Sequence, residues 1–246
     1  MIIMKISVLV AAYNGEKYIA QQLASILPQL GEEDELLISD DSRGPRTREA
    51  CRPFLKDKRV VYLEGPHAGI DKNKEFLLRQ CTGDVAFLAD QDDVWLPHKV
   101  KRVMAAIQGG ACCVMHNARL TDAELNPLGE TLFENKHVGT GLVRNVIRNG
   151  YTGCCMALTR EAFEAALPFP EKLPMHDQWL GLVSERVGRV ALIDEPLLLW
   201  RRNEGSMTGG KTGLAQKLVW RFDIVTALLT FCKSRSATPN ISNRTK

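Results

Sequence analysis

One stretch constrains this chain more than any other: Val85-Ala86-Phe87-Leu88-Ala89-Asp90-Gln91-Asp92-Asp93-Val94-Trp95-Leu96-Pro97. A short apolar run stops in three carboxylates, Asp90, Asp92 and Asp93. Apolar runs of this length bounded by turn chemistry read as strands buried on both faces. In open α/β sheets ligands bind at the carboxyl ends of such strands, which is where these acids fall. Three like charges this close repel one another, and the sequence offers no evident compensating cation. A divalent ion held by one or two carboxylates together with substrate phosphates resolves that repulsion. The competing reading makes the acids caps for a helix starting near Pro97, which suits Asp93 better than Asp90.

The segments before this stretch repeat its logic. Strands are expected over residues 5–11, 35–39, 59–63 and 85–90, the second ending in Asp40 and Asp41. Helices are expected between them: through Ile19, Leu23, Ile26 and Leu27, over 45–55, and from Asp71 to Cys81, with Asn14 and Asp71 as caps. Strand–helix alternation of this kind predicts a doubly wound, mostly parallel α/β sheet. Neither a GxGxxG turn nor a Walker loop is present, so an acid-ended site that holds phosphate needs a metal between the two.

Beyond Gly110 the pattern changes. Strands are expected over 111–115 and 151–158, short helices over 142–148 and 175–187, and two short strands, 190–193 and 197–200, split at Pro196. The polar stretch 117–141 reads as a hairpin or loop. With no repeat and no linker before Gly205, the expectation is one domain whose second half covers the open side of the sheet. In the tail, Leu214, Leu218, Phe222, Val225, Leu229 and Cys232 form an apolar stripe beside Lys217, Arg221, Lys233 and Arg235. Such a helix packs on the body, on a second subunit or in a membrane interface. Residues 234–246 have too few apolar side chains to order themselves.

Composition narrows the class. A net charge of +3 is too small to argue for a nucleic-acid partner. The seven cysteines include two adjacent pairs, Cys112-Cys113 and Cys154-Cys155, which in strands face opposite sides. They read as small buried side chains of a reducing compartment, with no zinc spacing. The chain enters its first strand without a basic leader, and no apolar run reaches the eighteen residues of a membrane span. A cytoplasmic protein is expected.

Taken together, the motifs resemble family 2 glycosyltransferases with the GT-A fold, in the bacterial rhamnosyltransferase-like branch. The resemblance is carried in order by Val8-Leu9-Val10-Ala11-Ala12-Tyr13-Asn14-Gly15-Glu16-Lys17-Tyr18-Ile19, Asp40-Asp41, Lys72-Asn73, the Asp90–Pro97 run, Thr152-Gly153-Cys154 and His176-Asp177. It covers residues 5–205. It implies a transferase domain over 1–210, with a donor half of about 1–110 and an acceptor half of about 111–210. Residues 211–246 form an amphipathic helix and tail.

The activity it implies is inverting transfer of a sugar from a UDP- or dTDP-type donor to an acceptor hydroxyl, in cell-surface glycan synthesis. Carried over by position, Ala11 and Tyr13 would line the nucleotide, with Tyr13 stacking on the base, and Asp41 would bond its imide. Asp90, Gln91 and Asp92 would meet the ribose and diphosphate, and Lys72 would lie near the donor phosphates or sugar. Asp90, Asp92 and Asp93 would hold Mg2+ or Mn2+. Asp177 would be the base for a glycan or lipid-linked acceptor, with a peripheral membrane contact or a homodimer formed through residues 214–232 at the inner face of the membrane.

Two local departures stand out. Ser42-Arg43-Gly44-Pro45 replaces a Gly-Ser-Thr-like turn, and Arg201-Arg202-Asn203 stands where relatives carry a histidine. Arg201 or Arg202 is therefore a candidate for the diphosphate. Of the rival functions, a nucleotidyltransferase would show a glycine-rich, lysine-containing loop after the first strand. A decayed, non-catalytic sugar-nucleotide scaffold would have lost Asp177 or the acid triplet, and both are present.

Overall fold

The computed structural model describes residues 4–202 and 213–236. Asn203 and the tail after residue 236 lie outside the described residues, as do the side chains of Leu214, Lys233 and Arg235. The first half is β1 (Ile6–Ala12), α1 (Ile19–Ile26), β2 (Glu35–Asp40), α2 (Arg46–Cys51), β3 (Val60–Glu64), α3 (Ile70–Gln80) and β4 (Val85–Asp90). Its four strands are parallel, with β1 between β2 and β4. β1 is buried along its whole length, and burial of Val8, Leu9 and Val10 stabilises it by about 1.5–3 kcal/mol each.

Register decides where the site forms. Ala11 pairs with Asp90 and Ala12 with Asp40, so three strands end at one level and deliver their terminal carboxylates together. α1 buries Ile19, Leu23 and Ile26 at the expected spacing. Neither expected cap acts as one. Asn14 takes a left-handed φ of 49° and donates its backbone N–H to Ser42 Oγ at 2.7 Å. Gly69 occupies the N-cap of α3 at φ +90°, leaving the Asp71 carboxylate free to accept from His176.

The second half comprises β5 (Val94–Trp95), α4 (Lys99–Gln108), β6 (Ala111–Thr121), β7 (Pro127–Thr131), α5 (Leu132–Lys136), α6 (Leu142–Ile147), β8 (Met156–Thr159), α7 (Arg160–Ala165), α8 (His176–Val187), β9 (Arg189–Arg201) and α9 (Leu214–Ser236). It extends the sheet instead of covering its open side. The order is β3-β2-β1-β4-β8-β6-β9-β5, with β7 on β6. β8 runs antiparallel to β4 and β6, so the sheet is parallel through the first half and mixed beyond it.

The strands expected on either side of Pro196 are one strand, β9, with a register shift where Pro196 lies opposite Asn117. A proline cannot donate to the ladder, so the irregularity belongs there. The polar stretch resolves into the end of β6, a hairpin to β7 and α5, whose first turn carries a capping box between Thr131 and Glu134. α4 begins at Lys99 with His98 in a left-handed conformation at its N-cap and no side-chain cap. The helix-cap reading of the three acids therefore fails.

α9 docks through a face other than the expected stripe. Ile224 is fully buried, Phe231 meets the Trp179 ring edge-on at 6.0 Å, and the Arg221 Nε and guanidinium nitrogen donate to the Ile147 carbonyl at 3.1 and 2.9 Å. Leu218, Phe222, Val225 and Leu229 remain exposed on the outside. Among the described residues no helix is long and apolar enough to cross a membrane.

Candidate active site

The turn after β1 is set by Gln91. Its carboxamide accepts from the Tyr13 N–H at 2.7 Å and donates to the Tyr13 carbonyl at 2.9 Å. Gly15 lies against the same group, and a Cβ there would collide with Gln91 Oε1. This clamp leaves the Tyr13 side chain 62% exposed above the strand ends, where a flat ring can stack. Ala11 is buried beside Asp90.

Asp40 and Asp41 serve different neighbours. Asp40 is buried and accepts from Ser42 Oγ and Tyr62 Oη, each at 2.5 Å. Burial and that bond push the Tyr62 phenol up. Asp41 accepts from the His67 and Gly69 N–H groups at 2.7 and 3.0 Å, shaping the loop after β3. Ser42 also takes the Asn14 N–H, so the unusual turn after β2 ties it to the turn after β1.

At the end of β4 the fold supplies cations that the sequence did not reveal. Lys74 is fully buried and its ammonium donates to Asp90 Oδ1 at 2.9 Å and to the Ala89 carbonyl at 2.6 Å. Burial pushes the Asp90 carboxyl up, but Lys74, with His176 and Lys99 behind it, outweighs that and holds it below the ordinary value. Lys99 is also buried, 4.0 Å over the Trp95 ring and donating to the Cys154 carbonyl at 3.0 Å. Burial lowers its pKa to about 8. Lys72, by contrast, pairs with Glu75 at 3.0 Å, and its side chain is half exposed.

Asp93 is buried with one oxygen accepting from the Arg201 N–H at 3.1 Å. Its Oδ2 has no hydrogen-bond partner among the described residues. Burial, then Asp92 and Asp90, push its pKa well up. Ligand atoms of Asp90, Asp93 and Cys154 lie within 4.8 Å of one another. A hydrogen bond donated by the Cys154 thiol to Cys155, together with burial, keeps Cys154 protonated, so the carboxylates are the better ligands for a hard ion. An orphaned buried carboxylate oxygen beside a second carboxylate fits a divalent cation.

Arg201, a candidate for the diphosphate, is spent elsewhere. It is buried, donates to the Asp92 carbonyl at 2.7 Å, to Gln21 Oε1 at 2.7 Å and to the Ala123 carbonyl, and stacks on Tyr18 at 4.3 Å. It is a strut beneath the acids. Arg202 stacks on Trp200 at 4.7 Å.

The second half brings its motifs to the same place. Asp177 sits in the first turn of α8, accepting from Asn149 Nδ2 at 3.1 Å and from the Gln178 N–H at 2.7 Å. His176 Nδ1 lies 2.8 Å from Asp71 Oδ1, tying α8 to the start of α3. A Cβ on Gly153 would stand 3.0 Å from His176 Nε2, so the Thr152-Gly153-Cys154 turn is pressed against α8. A continuous path thus runs from Asp90 and Asp93 through Cys154 and Gly153 to His176 and Asp177.

Comparison with known proteins identifies the family. The sequence profile of "Glycosyl transferase family 2" matches residues 7–167. The chain belongs to that family. It is 24% identical over 225 residues to "dTDP-rhamnosyl transferase RfbG" of Shigella flexneri, covering 84% of this chain and 76% of that one. Its fold is similar to that of Staphylococcus aureus TarS in complex with UDP-GlcNAc, with TM-score 0.67, 19% identity, 99% of this chain and 76% of that one. It is also similar to a Pyrobaculum calidifontis mannosyltransferase in complex with GDP-Man and Mn2+, with TM-score 0.61, 15% identity, 98% and 77% covered. These likenesses establish a GT-A fold. Some relatives are longer: the chain spans 65% of a Nostoc glycosyltransferase and 13% of a Streptococcus pneumoniae one.

Proposed function

We propose that this chain is an inverting glycosyltransferase that moves a sugar from a UDP- or dTDP-type donor to an acceptor hydroxyl in cell-surface glycan synthesis. The observation that carries the reading is the convergence of the strand-end acids and Asp177 through the Cys154-Gly153-His176 path. In this reading residues 1–110 serve the donor and residues 111–210 the acceptor. Tyr13 stacks on the base, Ala11 and Gln91 shape its floor, and Asp41 fixes the loop that borders it. Lys72, in the first turn of α3, lies near the donor phosphates or sugar.

Asp90, Asp92 and Asp93 would hold Mg2+ or Mn2+, as the orphaned oxygen of Asp93 favours. When bound, the ion offsets the charge that develops on the departing diphosphate. Asp177, oriented by Asn149, takes the proton of the acceptor hydroxyl on the opposite face of the sugar, giving inversion. The exposed stripe on α9, with Lys217 beside it, suits a peripheral contact at the inner face of an anionic membrane, with a homodimer as the other occupant. A glycan or lipid-linked glycan would be presented there.

The test is donor turnover. Incubated with UDP- and dTDP-sugars and Mn2+, the protein should release sugar slowly to water without an acceptor, and Asp92→Ala should abolish this. Nucleotide-sugar binding with no release at any donor would instead identify a scaffold.

A further inference from the structure

We infer that the open cavity between α6, α8 and α9 is an acceptor subsite for a phosphate or diphosphate group. The acceptor would then be a phosphorylated or diphosphate-linked saccharide. This rests on the transferase reading above and specifies its second substrate. The cavity measures about 460 Å³ and is lined by Arg148, Lys217, Trp220 and Arg221, with Asn149 and Met175 among its other walls. Its position ties it to the chemistry, because the Asn149 carboxamide that borders it donates to Asp177 Oδ1 at 3.1 Å. A group held there is attached to whatever presents its hydroxyl to Asp177.

The lining selects the ligand's charge. Among the described residues three cationic side chains border this space and no carboxylate does. Among the described residues, no acid forms an ion pair with Arg148, Lys217 or Arg221. Arg221 is fixed by its bonds to the Ile147 carbonyl, so its guanidinium is held in place before any ligand arrives. Two guanidinium forks and an ammonium supply donors only, and of the two carboxamides in the lining Asn149 is already bonded through both ends and Gln178 through its amide nitrogen. That set matches an oxyanion rich in acceptor oxygens, and the charge of a phosphate or diphosphate fits it better than a single carboxylate. Ile147 in the cavity wall is exposed, as are Leu218 and Phe222 on α9, next in sequence to Lys217 and Arg221. A lipid attached to the phosphate would follow this path; a free sugar phosphate would not need it.

Calorimetric titration of the full chain decides the matter, using inorganic pyrophosphate, geranyl diphosphate and glucuronate in excess chelator, so that no metal draws the probe to the donor acids. Geranyl diphosphate is expected to bind, and its dissociation constant should rise at least tenfold in the Arg148→Gln/Lys217→Gln variant. Thermal unfolding of that variant checks that it folds. Tighter binding of geranyl diphosphate than of pyrophosphate supports a lipid-linked acceptor, and equal binding supports a soluble phosphorylated one. The inference is overturned if neither binds, if the double variant binds both as the parent does, or if glucuronate binds as tightly. A parallel titration of UDP with Mn2+ keeps the two readings apart: its failure in the parent would count against the transferase, not against the cavity.

Discussion

Lys74→Met separates an internal ion pair from ordinary core packing. The Lys74 ammonium is fully buried and bonds Asp90 and the Ala89 carbonyl. Removing one partner of a fully buried pair costs about 3–5 kcal/mol. The Asp90 side chain keeps 40% of its surface open, so the charge left behind stays partly hydrated and screening reduces the cost to about 2 kcal/mol. In a chain of this size each kcal/mol shifts the melting temperature by roughly 2–4 °C, so a fall of roughly 4–8 °C is expected.

The pH dependence gives the sharper check. Asp90 is held below its ordinary pKa in the fold. Its contribution is therefore fully present above the unfolded value of about 3.9 and is lost as pH falls through the lower folded value. Urea titrations in chelator should show Lys74→Met well below the parent at pH 7, with the gap narrowing below about pH 4. A loss of equal size at both pH values would mean lost packing only. No loss at pH 7 would refute the pair as a source of stability.

Asp177→Asn should lower transfer at least about a hundredfold while donor affinity, followed by calorimetry, changes little, because the interaction is made mainly in the transition state. Gly15→Ala should cost about 1–3 kcal/mol in urea titrations and weaken nucleotide binding, since its Cβ would displace the carboxamide of Gln91 from the Tyr13 backbone. Lys99→Met tests the other buried amine. Its pKa of about 8 lies below the ordinary lysine value of 10.5, so the unfolded chain binds more protons between those values and the parent's stability should rise with pH there. The variant's urea midpoints between pH 7.5 and 10 should lack that rise.

What the sequence revealed was what local patterning encodes. The runs ending at Ala12, Asp40 and Asp90 are continuous apolar segments with polar stops, so both the strands and the acids at their ends could be read directly. The buried amines also left a trace. Lys74 precedes Leu77 and Leu78 on the buried face of α3, and Lys99 precedes Val103 and Ile107 on that of α4. A lysine at a core position of an amphipathic helix announces a buried partner, whereas the motif itself points to the more exposed Lys72. Arg201 could not be placed the same way. Its partners Gln21, Asp92 and Ala123 are far apart in the chain, and only the pairing of β9 with β6 brings it beneath the acids. The tail misled for a different reason: α9 is apolar on two faces, and periodicity alone does not say which one docks.

The internal cations change the argument for a metal. From sequence, three carboxylates without a visible counter-charge required an ion for their own sake. In the fold, Lys74 already compensates Asp90, and Lys99 adds a cation to the same buried cluster. Repulsion alone no longer demands a divalent ion. The requirement moves to Asp93, whose buried Oδ2 lacks a partner among the described residues and whose carboxyl is pushed up by burial and its neighbours. An ion must take up a carboxylate whose charged form burial disfavours as well as compete with Lys74 for Asp90, and both costs fall when donor phosphates supply further oxygens. Mn2+ alone should therefore bind weakly, and nucleoside diphosphate should strengthen it by linkage at least about tenfold. Lys74→Met, by freeing Asp90, should tighten Mn2+ alone and shrink that linkage. Calorimetry of Mn2+ with and without UDP, in parent and variant, measures all four affinities. An unchanged linkage in the variant would show that Lys74 and the ion do not share Asp90.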